Sequence, residues 1–131
     1  QNRSQLVRIP MVKGDNCRME LRSPDPACNP YLAIGLVLAA GLDGIEHRMV
    51  LPPPVNKNLF RPGEAEGLGL EMLPATLEEA VAIAEESDFL HKVLPEELSR
   101  RYFAEERARC EALRAAADPA EYERIHYFNA I

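Results

Sequence analysis

Cysteine is scarce and unpatterned in this chain: Cys17, Cys28 and Cys110 are the three present among 131 residues. An odd number without CxxC spacing suggests neither a disulfide framework nor a zinc site, so reduced structural thiols are expected. A long hydrophobic run is also missing. The longest, Tyr31 to Leu42, has twelve residues, too few to cross a bilayer, and no basic-then-apolar signal precedes it. The expectation is a cytoplasmic protein with no membrane partner. Internal repeats and low-complexity tracts are absent, and 47% apolar residues indicate a globular polypeptide. A broad basic face is lacking too. The formal charge is −6, and residues 1–22 hold five Lys/Arg against two Asp/Glu, a local +3 that leaves −9 on the remainder. That acidic remainder would repel a phosphate backbone, so no nucleic-acid partner is expected.

What the chain does have is charge concentrated at its start, in Arg3, Arg8, Arg18, Glu20 and Arg22. If Met19 to Leu21 is a strand, alternation puts Arg18, Glu20 and Arg22 on one face and Met19 and Leu21 on the other. One carboxylate then stands between two guanidinium groups. Glutamate is a hard oxygen ligand for Mg²⁺ or Mn²⁺, and arginine grips carboxylate or phosphate through two parallel hydrogen bonds. A site for an anionic, metal-bound substrate such as a nucleotide is one reading. A cross-strand ion-pair ladder on a solvated face is the other, and spacing alone favours it.

The fold class read from the pattern is α+β: two short antiparallel strands followed by a mainly helical C-terminal region. Leu6–Ile9 and Arg18–Arg22 read as the strands, joined through the turn residues Gly14-Asp15-Asn16. Asn29-Pro30 starts a helix running to about Leu42, apolar on all sides like a helix buried in a larger structure. The triple proline 52–54 and the glycines 63–69 bracket an irregular segment, longer than compact domains usually keep without a function. Thr76 with Glu79 forms a capping box for a helix over 77–87. Pro95 opens a long amphipathic helix to about Ala117, supported by the Glu97/Arg101 and Glu105/Arg109 pairs. Asp118-Pro119 starts a last helix ending near Phe128. Tyr102, Phe103, Cys110 and Leu113 read as core. His47, His91 and His126 read as surface or packing residues, with no carboxylate or cysteine at ligand spacing.

The run Arg3 to Pro10 (RSQLVRIP), then Glu20 to Leu32 (ELRSPDPACNPYL), Ala39 to Ile45 (AAGLDGI), Asn56 to Phe60 (NKNLF) and Leu73 to Ala80 (LPATLEEA) closely resemble the last part of bacterial type I glutamine synthetases. The likeness spans nearly the whole chain and weakens near the C-terminus. It implies that residues 1–131 are the C-terminal portion of that catalytic domain. Residues 1–28 would be active-site strands and loops, 29–51 a buried helix and following loop, 52–75 an irregular loop, and 76–131 C-terminal helices. A chain that opens with Gln1 inside a family motif reads as a fragment of a polypeptide several times longer.

The activity so implied is ATP-dependent ligation of ammonia to L-glutamate through a γ-glutamyl phosphate. By the same resemblance, Glu20 matches a metal-binding glutamate that holds Mg²⁺ or Mn²⁺. Arg22 matches the arginine on the glutamate carboxylate, and Arg3 a catalytic and substrate-binding arginine near the transferred phosphoryl group. Arg8 and Arg18 fall on the ATP side, although Arg18 fits a plain ion pair with Glu20 equally well. The partners implied are glutamate, ammonia, ATP and sibling subunits in a dodecamer of two hexameric rings. Phe60 stands where many relatives carry an adenylylated tyrosine, and without a hydroxyl it cannot be modified there; the feedback-inhibited subtype fits better. The tail Ile125–Ile131 departs from the usual family ending, which leaves the ring-to-ring contact open. Two other readings remain: a γ-glutamyl-amine ligase with the same ATP and glutamate machinery, and a non-catalytic helical assembly module. Alone, the chain is expected to be inactive and poorly stable.

Overall fold

The computed structural model describes residues 4–128. They divide between Glu71 and Met72 into two units. The architecture is α+β, with one antiparallel strand pair and, among the described residues, five α-helices.

In the first unit, strand β1 (Val7–Arg8) pairs antiparallel with β2 (Glu20–Leu21), so that Val7 faces Leu21 and Arg8 faces Glu20. The Arg22 N–H donates to the Leu6 carbonyl at 2.9 Å and lengthens the ladder by one step. Both strands are shorter than the sequence suggests. Pro10 offers no N–H to continue β1, and Arg18 turns its guanidinium back onto the Asn16 carbonyl at 3.2 Å. Between the strands, a single 3₁₀ turn (Gly14–Asn16) begins at Gly14 with φ +67°, a conformation open to glycine at little cost.

Helix α1 (Pro30–Glu46) starts where the sequence predicts. The Asn29 Oδ1 accepts the Tyr31 and Leu32 N–H groups at 3.0 and 3.3 Å, and Pro30 fills the first turn, where no donor is needed. The helix runs one turn beyond Leu42 because Gly41 and Gly44 lie within it rather than at its end. It closes instead in a Schellman motif, in which the Arg48 N–H donates to the Ile45 carbonyl and the Met49 N–H to the Gly44 carbonyl. Arg48 sits at the left-handed position with φ +50°, where glycine would be unstrained. Arg48→Gly should therefore tighten this helix end by about 1 kcal/mol. The check is amide exchange at Arg48 and Met49, slowed by about fivefold.

The helix whose apolar circumference suggests burial within a larger structure is uncovered in this chain. None of its residues is buried, and Tyr31 and Ile45 are 87% and 75% exposed. Apolar side chains circle the helix, and among the described residues no strand or helix of the first unit packs extensively along it. From His47 to Thr76 the chain forms no helix or strand, in keeping with its proline and glycine content.

The second unit is helical. Helix α2 (Leu77–Glu85) carries the expected cap, with the Thr76 Oγ1 accepting the Glu79 N–H at 3.2 Å. The Glu79 carboxylate reaches back to the Ala75 N–H at 2.8 Å, one residue beyond the usual capping box. A separate helix α3 (Asp88–Val93) follows, which the sequence reading did not anticipate. Its signal is Ser87, whose Oγ accepts the Leu90 N–H and restarts the helix two residues after α2 ends.

Helix α4 (Glu96–Ala115) packs on α2 and receives α3 and α5 (Pro119–Glu123). The core is small: Val81 on α2 and Phe103 on α4 are the apolar residues that are buried among those described. Ser99, Phe103 and Glu106 mark the inward face of α4 at helical spacing. Tyr102 meets Phe103 edge-on at 5.9 Å. Buried Glu106 is held by Arg109 at 3.0 Å, while Glu97–Arg101 and Glu105–Arg109 form the expected surface pairs. After α5, a π-helical turn (Arg124–Phe128) stacks His126 on Tyr122 at 3.9 Å between ring centres.

Candidate active site

Hairpin register decides what the charged residues become. Because Arg8 lies directly opposite Glu20, the two side chains emerge on the same face. The Arg8 Nη1 donates to the Glu20 Oε2 at 2.9 Å. Arg18, two residues before Glu20 on the same face, reaches the Glu20 Oε1 from its Nη2 at 3.2 Å. Arg22, two residues after, brings its Nη2 to 3.9 Å from the Glu20 Oε2. The structure thus gathers Arg8, Arg18, Glu20 and Arg22 into one cluster. Arg3 lies outside the described residues.

The alternation along β2 correctly placed Arg18, Glu20 and Arg22 together, but it did not reveal that Arg8 is a partner of the same carboxylate. That depends on which residue of β1 stands opposite Glu20 across the intervening loop. The cluster is partly open to water, with the Glu20 side chain 28% exposed. Partial dehydration pushes the Glu20 carboxyl up, but the hydrogen bond from Arg8 and the charges of Arg8 and Arg18 outweigh it and hold its pKa below the ordinary 4.5. A carboxyl lowered by folding adds stability above 4.5 that is lost as pH falls through the lowered value. In the metal-free protein, the Glu20 carboxyl carbon followed by NMR should titrate below 4.5. Arg8→Met should move that titration upward.

Three guanidinium groups around one carboxylate leave a net charge of +2 on the cluster. Such a site attracts a polyanion such as triphosphate and would repel a bare divalent cation. Glu20 suits a Mg²⁺ or Mn²⁺ ion that arrives already bound to phosphate, and it can be only one ligand of the set. Among the described residues no three His, Cys, Asp or Glu side chains stand close enough to hold a metal ion.

The remaining polar residues belong to structure. His47 Nδ1 lies 2.9 Å from the Asp43 carbonyl and 3.3 Å from its carboxylate, so this histidine does have an acidic neighbour at i,i+4 spacing. His91 and His126 contact the Glu85 and Tyr122 carbonyls. All three cysteines are free thiols. A groove of about 270 Å³ between α2 and α4 is lined by Val81 and Cys110 and rimmed by the Glu85–Arg107 and Glu78–Arg114 ion pairs. It is a seam of helix packing, not part of the arginine cluster. No helix of the described residues is long and apolar enough to cross a membrane.

Two side chains that sequence reasoning passed over lie next to the cluster's first strand. The Ser4 Oγ accepts the Leu59 N–H, and the Gln5 Nε2 donates to the Val55 carbonyl, both at 2.9 Å. No local pattern signals contacts 55 and 50 residues apart in sequence.

The family profile described as glutamine synthetase, catalytic domain, matches residues 1–125. The chain is 42% identical over 118 residues to a glutamine synthetase of Methanocaldococcus jannaschii, an alignment covering 88% of this chain and 26% of that relative. Against a glutamine synthetase of Methanosarcina mazei it is 41% identical over 126 residues, covering 95% of this chain and 28% of the relative. With one of Staphylococcus aureus the identity is 36% over 129 residues, covering 97% and 28%. The chain therefore spans about a quarter of the length of the curated relatives it matches. With four charged side chains converging at the hairpin and a family match along nearly its whole length, this chain belongs to the glutamine synthetase catalytic-domain family.

Proposed function

We propose that this chain is the C-terminal portion of a longer glutamine synthetase polypeptide, whose complete oligomer joins ammonia to L-glutamate at the expense of ATP. The observation that carries the reading is the convergence of Arg8, Arg18 and Arg22 on Glu20, which suits a phosphate-rich transition state. In the reaction, a γ-carboxylate oxygen of glutamate attacks the terminal phosphorus of ATP and ADP leaves. Ammonia then attacks the acyl carbon of the γ-glutamyl phosphate, and phosphate departs.

In this scheme Arg8 and Arg18 hold nucleotide phosphates, Arg22 holds the glutamate carboxylate, and Arg3 faces the phosphoryl group in transfer. Glu20 contributes one oxygen ligand to Mg²⁺ or Mn²⁺, which when bound offsets phosphate charge. The remaining metal ligands and the ammonium site come from elsewhere in the longer polypeptide or a neighbouring subunit, so the 131 residues alone are inactive. The protein works in the cytoplasm as a homo-oligomer of two hexameric rings. Its residues 1–28 serve the site, 29–51 pack inside the larger domain, 52–75 form a surface loop, and 76–131 close the domain.

The test is the intact mass of the natural subunit together with an assay for glutamine formed from glutamate, ammonia and ATP. A subunit several times heavier than 14.7 kDa with that activity supports the reading. A natural product of only this size, inactive and bound to another protein, sinks it.

A further inference from the structure

The irregular stretch between α1 and α2 has no ladder or helix to hold it, yet it is fixed to the residues that lead into β1, the strand that bears Arg8. Two side chains make the attachment: Ser4, accepting from the Leu59 N–H, and Gln5, donating to the Val55 carbonyl. Both contacts are partly buried, and both reach backbone groups rather than side chains. They grip the stretch at two points four residues apart. Between and just beyond those points the chain is folded on itself: the Asn58 Oδ1 accepts the Phe60 N–H at 3.2 Å and the Asn58 carbonyl accepts the Arg61 N–H at 3.0 Å. A turn held in this way moves as one piece with whatever it is tied to.

The ties are also placed where movement matters. Ser4 follows Arg3 directly, and Gln5 precedes Leu6, whose carbonyl receives the Arg22 N–H. Arg8, three residues beyond Gln5, lies on strand β1, which begins two residues after Gln5. We infer that Ser4 and Gln5 are positioning residues that couple the Val55–Leu59 segment to the arginine cluster, so that the order of the segment and the binding of a nucleotide polyphosphate support one another. This rests on the ligase reading for the identity of the ligand. The coupling is reciprocal by thermodynamic linkage: a ligand that orders the arginines must also quiet the segment, and a loosened segment must weaken the ligand.

The experiment uses the full-length protein with MgATP as the probe. Trypsin can cleave after Lys57, which is exposed in the segment and followed by Asn58, whereas Arg61 is shielded by the Pro62 that follows it. In unsubstituted protein, MgATP should slow this cleavage. Ser4→Ala combined with Gln5→Leu should speed it by about tenfold and weaken MgATP binding by about three- to tenfold, with oligomer mass unchanged, as expected for two lost hydrogen bonds. Ser4→Thr, which keeps the hydroxyl, should stay near the parent in both readings. Cleavage at the parental rate in the double variant overturns the coupling. So does faster cleavage with unchanged MgATP affinity, or a parent protein that binds no MgATP. The ligase reading fails on a different result, namely MgATP binding by the parent without glutamine formation.

Discussion

Glu20→Ala in the full-length protein should lower glutamine formation by about a hundredfold or more and weaken Mg²⁺ or Mn²⁺ binding in parallel, leaving the oligomer intact. The direction follows from the charge balance at the hairpin. Glu20 is the carboxylate that all three neighbouring guanidinium groups address. Without it, Arg8, Arg18 and Arg22 present unrelieved positive charge, so nucleotide phosphates still bind while the cation that should accompany them loses a ligand. Glu20→Gln sharpens the test: it keeps the shape and one acceptor oxygen but removes the charge, and its activity should fall nearly as far. Enzyme activity, metal affinity by calorimetry and mass by light scattering separate the outcomes. Normal metal affinity with a dissociated oligomer would instead mark this region as an assembly module.

Phe103→Ala should cost about 3–4 kcal/mol, enough to abolish a cooperative unfolding transition of the helical unit in the isolated chain. Phe103 is 7% exposed and shares the buried apolar interior with Val81 alone among the described residues. A core that small has little stability to lose. Phe60→Ala is the matched comparison, since Phe60 is 75% exposed and its loss should change stability by less than about 0.5 kcal/mol. Urea unfolding followed by circular dichroism at the helical band distinguishes them. Equal midpoints for the two variants would show that the helical unit is not held together through α4 in the way its packing implies.

The helix starts at Asn29-Pro30, Thr76 and Asp118-Pro119 were legible because each cap is a bond between neighbours in sequence, and the residue types announce it. The α4 ion pairs were legible for the same reason. Helix α3 was missed because its six residues are too few to show a helical period between the expected end of α2 near 87 and the start at Pro95. The face shared by Arg18, Glu20 and Arg22 came from alternation, but the Arg8–Glu20 bond required the register of two strands joined by a loop, which no local rule supplies. Contacts such as Ser4 to Leu59 lie further still beyond local pattern. Periodicity alone leaves the arginines as an ordinary ladder of ion pairs, and the proposal of a functional role for them rests on the family motifs.

The hairpin's strands are two residues each, too short for backbone hydrogen bonds alone to choose their alignment. A slip by one residue would turn every side chain to the opposite face and scatter the charges. Glu20, answered from across the hairpin by Arg8 and from its own strand by Arg18 and Arg22, penalises every such slip. The side chains proposed to meet the substrate are therefore also the keel of the hairpin that carries them, and a substitution meant to alter chemistry there will also test the alignment of the backbone beneath it.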